Sequence, residues 1–247
     1  MKHAAPPSNK ARTHARRLIQ ALREAYPDVH CALVHKNPYE LLVATILSAQ
    51  CTDARVNLTT PELFRRYPDA AHLAAARTEE LEAVIRSTGF FRAKARNLLA
   101  MAAQVVESHD GEIPRRLEDL VALGGVGRKT ANVVLGTAFG IPSGVVVDTH
   151  VKRLARRMGL TTRSTPEQIE TDLQALVPKS EWINLSHRLI QHGRLVCLAR
   201  RPRCETCLLR PICPMVGVPA AKSLTKSHSK SSLEKPGKAR IRTKIDA

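Results

Sequence analysis

Apolar residues recur at intervals of three and four through most of the chain. Leu41, Leu42 and Ile46 form one stripe with Thr45, and Val151, Leu154, Ala155 and Met158 form another. That period predicts helices. Cap residues, or a proline in the first turn, open segments at Asn37-Pro38, Asp53, Thr60-Pro61, Asp69, Thr78 and Thr165-Pro166. A side-chain oxygen there satisfies a free N–H, and the N–H that proline lacks is not needed. Thr165 with Gln168 reads as a capping box ahead of Ile169, Leu173 and Leu176. Glycine ends segments at Gly89, Gly140, Gly159 and Gly193. Val145-Val146-Val147 is too short to argue for a strand. The pattern predicts an all-α fold of about ten or eleven helices and no sheet.

Composition adds a partner. The 247 residues, 43% hydrophobic, allow one large domain or two smaller ones with a real core. Lys and Arg number 39 against 22 Asp and Glu, a net charge of +17, which favours a polyanion. Aromatic residues make up 3%, too few for a single-strand stacking platform, so duplex binding through phosphates fits better. No run of 18 apolar residues exists to span a membrane, and Met1 to Arg17 lacks the apolar core of a secretory signal. The expected location is the cytoplasm, at the nucleoid in a bacterium, or the nucleus or mitochondrion in a eukaryote. From Gly217 to Ala247 eight basic residues face two acidic ones with no apolar period. That tail is expected to be disordered.

Candidate chemistry begins at Leu123-Gly124-Gly125-Val126-Gly127-Arg128-Lys129-Thr130-Ala131-Asn132. A glycine turn opening into a helix presents free N–H groups and the positive end of a helix dipole, a cradle for phosphate formed by Gly125, Gly127, Arg128 and Thr130. Lys129 stands in the first helical turn, where it is either an attacking amine or a solvated lysine. Asp148, in Val145-Val146-Val147-Asp148-Thr149-His150, is placed as a helix N-cap. A carboxylate fixed in that way also suits the stabilisation of positive charge on a sugar. The helix after it carries Lys152, Arg153, Arg156 and Arg157, facing an anion or water.

Cys197, Cys204, Cys207 and Cys213 fall within seventeen residues, with Pro202, Pro211 and Pro214 to turn the loop. Four-cysteine zinc sites use two Cys-x-x-Cys pairs, whereas one such pair with uneven outer gaps favours an iron–sulfur cluster. Disulfides are the third arrangement, and the lack of a secretory signal argues against them. Arg200, Arg201 and Arg203 fill the first loop between cysteines and suggest a phosphate-binding finger. Cys31 and Cys51 read as small buried hydrophobes.

Gly-Val-Gly-Arg-Lys-Thr-Ala-Asn, then Val-Asp-Thr-His with its aspartate nineteen residues after the lysine, then Cys-x6-Cys-x2-Cys-x5-Cys, closely resemble the endonuclease III family. These are helix-hairpin-helix DNA glycosylases with abasic-site lyase activity, and the resemblance covers about Arg16 to Met215. It implies two helical domains with a cleft between them. One is a six-helix barrel at about 32–141; the other is a [4Fe-4S] domain made of residues 142–216 and the N-terminal arm and helix of 1–31. It implies removal of oxidised pyrimidines from duplex DNA by a monomer, with Lys129 as nucleophile, Asp148 as catalytic carboxylate and the four cysteines as cluster ligands. Gln50 is implied to fill the gap left by the extruded nucleotide, and Phe90 to intercalate where the family usually has leucine. His150 joins the implied DNA contacts. Gly124 replaces a proline common in the family, which predicts a less rigid approach to the hairpin. A monofunctional mismatch glycosylase and a noncatalytic iron–sulfur DNA-binding module are the alternatives.

Overall fold

Two separate sets of buried apolar side chains organise the molecule, and each is built by its own helices. The computed structural model describes residues 6–218. Most of the basic tail, residues 219–247, lies outside the described residues, as does the start of the N-terminal arm. Among the described residues there are eleven α-helices, three short 3-10 turns and no strand.

The first set runs from Leu33 to Leu135. Its helices are α2 (Pro38–Leu47), α3 (Asp53–Arg66), α4 (Ala70–Ala74), α5 (Thr78–Ile85), α6 (Phe91–His109), α7 (Leu117–Ala122) and α8 (Arg128–Phe139). Helix α2 is apolar on all sides and is buried from Tyr39 to Leu47, so it forms the centre around which the others pack. Asn37 starts it by accepting the Glu40 N–H at 2.9 Å. Helix α6 buries Ala95, Leu98, Met101, Ala102 and Val105, a three-and-four stripe.

The second set joins an N-terminal helix to the later part of the described residues. Ala15, Leu18, Ile19 and Leu22 of α1 (Asn9–Ala25) pack with buried residues from Val145 to Leu209. Its other helices are α9 (Thr149–Arg157), α10 (Pro166–Leu176) and α11 (Trp182–Leu195).

Two of the sequence-predicted boundaries are corrected. Thr60-Pro61 does not start a helix: α3 begins after its cap Thr52 and runs through Pro61. Val56, Thr59, Thr60 and Leu63 bury on one face across that point, and this packing offsets the roughly 3 kcal/mol that an internal proline costs. Gly193 does not end a helix either. It sits inside α11 because a β-carbon there would lie 2.9 Å from His150 Nδ1 and 3.0 Å from Arg153. Glycine lets α9 approach α11.

Candidate active site

The hairpin between α7 and α8 is held by contacts to α6. Gly125 has φ +73°, open to glycine at no cost, and a β-carbon on it would lie 2.6 Å from Asn97 Cβ. Gly124 is also sterically required, since its β-carbon would lie 2.8 Å from Ala100 Cβ. Its N–H donates to Gln104 Oε1 at 2.7 Å. The approach to the hairpin is therefore fastened by a bond that proline could not make. Gly127 takes the N-cap position of α8 and brings no side chain to it, so the first-turn N–H groups, including those of Lys129 and Thr130, remain open to an anion.

Lys129 is the second residue of α8 and is exposed. Asp148 caps α9, accepting the Val151 N–H at 2.8 Å. Both line one solvent-open cleft of about 260 Å³. Leu33, with Thr45 and Ser48 at the end of α2, contributes from the first half of the chain, and Ile183, Ser186, His187 and Arg194 from the second half. Burial lowers the His187 pKa, helped by His30 nearby. Burial lowers that of His150 as well, with Asp148 opposing. The His150 ring lies 3.2 Å from the Arg153 guanidinium.

Two ion pairs tie the walls of this cleft together, and the sequence reading missed both. Arg128 donates to both oxygens of Glu170 on α10, at 2.9 and 3.2 Å, and Asn132 donates to the same carboxylate at 3.0 Å. The guanidinium placed in the phosphate cradle is thus engaged within the protein. Arg194 on α11 bonds Asp53 on α3 at 2.6 Å. The available signal for Glu170 was its register: it adjoins Ile169 and Leu173 on the apolar face of α10, where a lone acid needs a partner.

Gln50 and Phe90 are exposed, and both adopt the left-handed backbone conformation, with φ of 53° and 49°. Arg200, Arg201 and Arg203 are exposed on the loop between the first two cysteines of the group. That loop is held from behind. Arg157 donates to the carbonyls of Leu198 and Ala199, both at 2.7 Å, and Arg153 to those of Gly193 and Cys197 at 3.0 and 3.1 Å. These two arginines of α9 face the cysteine loop, which corrects their reading as an anion-facing or solvated side.

Cys197, Cys204, Cys207 and Cys213 line one small cavity of about 20 Å³, and none is in a disulfide. Arg157 donates to Cys197 Sγ at 3.5 Å, and His192 Nε2 lies 3.6 Å from Cys207 Sγ. Burial, then the neighbouring thiols, push Cys207 up; burial does the same to Cys213. Among the described residues, no three His, Cys, Asp or Glu side chains converge closely enough for a single metal ion. Four thiols lining one cavity form a donor set that fits a thiolate-ligated metal centre. Cys31 and Cys51 pack against the first apolar set.

An all-helical molecule with a glycine hairpin opening into a lysine-bearing helix is that of the HhH-GPD superfamily of base excision DNA repair proteins, whose family model matches residues 43–179. Endonuclease III of Synechocystis sp. is 54% identical over 200 residues, covering 81% of this chain and 91% of its own. A solved structure described as a non-covalent Endonuclease III-DNA complex superposes with a TM-score of 0.79 at 44% identity, covering 83% of this chain and 95% of that one. Another, a trapped Endonuclease III-DNA covalent intermediate, gives 0.79 at 43% identity over 83% of this chain and 96% of that one. The chain belongs to the endonuclease III family.

Proposed function

We propose that this protein is a DNA glycosylase and abasic-site lyase of base excision repair, acting on oxidised pyrimidines in duplex DNA. The observation that carries the reading is the meeting of an exposed helix-start amine, Lys129, and a cap-fixed carboxylate, Asp148, in one cleft. The solved endonuclease III relative in covalent linkage to DNA supports it.

In this mechanism the open N–H groups of the hairpin grip a phosphate, and the damaged nucleotide turns out of the stack into the cleft. Gln50 fills the vacated space, with Phe90 entering between bases. Lys129 Nζ attacks the sugar C1′, and the C1′–N bond breaks as the base leaves with a proton. Asp148 faces the positive charge that develops on the sugar and carries protons between base, amine and ring oxygen. The resulting Schiff base acidifies the C2′ hydrogens. Loss of one C2′ proton expels the 3′ phosphate, and water then releases the amine. His150 and Arg200, Arg201 and Arg203 add contacts to the DNA backbone, while Arg128, paired with Glu170, steadies the hairpin.

Cys197, Cys204, Cys207 and Cys213 would hold a [4Fe-4S] cluster. When bound, it supplies four iron–thiolate links that lock the arginine-bearing loop. We assign residues 32–141 to a barrel domain and 142–216, with the N-terminal arm and helix of 1–31, to a cluster domain. The protein acts as a monomer in the compartment that holds the DNA, the bacterial cytoplasm on this reading; no helix among the described residues is long and apolar enough to cross a membrane.

Borohydride trapping on abasic duplex DNA tests the reaction. A covalent adduct that disappears in Lys129→Ala is expected. An adduct that persists in that variant assigns the attack to another amine, and none in the unaltered protein overturns the reading in favour of water-mediated excision or binding alone.

A further inference from the structure

Lys94 is buried, with 4% of its surface exposed, and has no carboxylate partner among the described residues. An ammonium in such a place carries a desolvation cost, so an apolar side chain would be the simpler occupant. Its Nζ instead donates to two backbone carbonyls, Leu47 O at 2.8 Å and Thr88 O at 2.7 Å. Each closes an element: Leu47 is the last residue of α2, and Thr88 ends the 3-10 turn Arg86–Thr88. End carbonyls of this kind lack a partner within their own helix.

The loops leaving these two carbonyls give the bridge its meaning. Gln50 stands three residues past Leu47, and Phe90 two residues past Thr88. Both have positive φ, one of the costlier choices for a residue with a β-carbon. A conformation of that kind persists only where its flanks are fixed. Lys94 fixes both flanks through its Nζ, while its backbone N–H bonds Phe90 O at 3.0 Å as the ordinary first bond of α6.

We propose that Lys94 is a positioning residue for nucleotide extrusion, clasping the Gln50 and Phe90 loops at one spacing so that both side chains enter the duplex together. This rests on the reading of Gln50 and Phe90 as the groups that enter the duplex. With the clasp gone, each loop relaxes separately and the gap is filled from one side only. Excision of a stacked base suffers most, since an abasic site has no base to unstack.

The test compares Lys94→Met with the unaltered, cluster-loaded full chain. Single-turnover excision of an oxidised pyrimidine is measured beside strand cleavage at a preformed abasic site, both also in a Gln50→Ala/Phe90→Ala background. Excision is expected to fall about tenfold or more and abasic cleavage less than about threefold, with no further loss in the double-alanine background. Equal loss in both reactions, no loss, or a loss that persists in that background overturns the clasp. If Lys94→Met fails to fold, Lys94→Gln carries the same comparison, its amide reaching one carbonyl and giving a smaller loss of the same selectivity. Unchanged excision in Gln50→Ala/Phe90→Ala alone would instead overturn the reading of those two residues.

Discussion

Arg128 and Glu170 join the helix that carries Lys129 to the opposite half of the molecule through a two-point ion pair, 2.9 and 3.2 Å long. Glu170 is almost fully buried, and it also takes the Asn132 amide. Glu170→Ala leaves the Asn132 donor and one face of the guanidinium unpaired, at a cost of about 2 kcal/mol. Urea unfolding should show that loss. Borohydride trapping rates should fall with it, because the hairpin is no longer anchored to α10.

Gly125 and Gly127 separate fold from binding. Gly125→Ala places a β-carbon against Asn97 at positive φ and should destabilise the protein by more than about 1 kcal/mol, read from the urea midpoint. Gly127→Ala meets nothing within 4 Å. It should unfold near the unaltered midpoint yet bind duplex DNA more weakly, since the methyl group sits where a phosphate would approach.

Gly124→Pro, which restores the residue common in the family, should be unfavourable in this chain. It deletes the N–H that Gln104 accepts and sets ring atoms against Ala100. A double-mutant cycle checks this: Gln104→Ala should cost about 1 kcal/mol in the unaltered protein and close to nothing in the Gly124→Pro background.

Replacing Arg200, Arg201 and Arg203 together with glutamine should weaken DNA binding and flatten its salt dependence. Each phosphate contact contributes about 0.9 to the slope of log affinity against log salt, so the slope should shrink by up to about 3. Fluorescence anisotropy over a salt series measures it. An unchanged slope would show that these exposed side chains do not meet phosphate.

Acid should destabilise the protein through His187 and His150. Burial holds both imidazoles below the usual histidine range when folded. As pH falls below about 6.5 the unfolded chain takes up protons before the folded one does, so stability drops on that side and is fully retained above it. His187→Gln should make the midpoint of thermal unfolding less sensitive to pH between about 5 and 7.

The helical pattern was legible because apolar stripes and caps are local signals. Asn37, Asp148 and Thr165 cap α2, α9 and α10 through their side chains. Pro61 and Gly193 misled because their meaning depends on what packs against them: one buried face of α3, and the approach of α9 to α11. The hairpin's shape was visible in its glycines, but Arg128 looked free until Glu170, 42 positions later, was brought to it. Lys94 left no trace in the pattern, since a lysine in an amphipathic helix reads as surface, and its partners are backbone carbonyls, one of them 47 positions away.

Helix α9 has Asp148 at its head and Arg157 at its foot, the latter gripping the Cys197 loop. Nine residues at about 1.5 Å each make a rod shorter than about 15 Å, too short to bend much. Whatever loosens the sulfur-lined end therefore tilts the carboxylate end. On the reading proposed for Asp148, damage to the cysteines by an oxidant would then be felt in the cleft, with no lesion in any group that lines it.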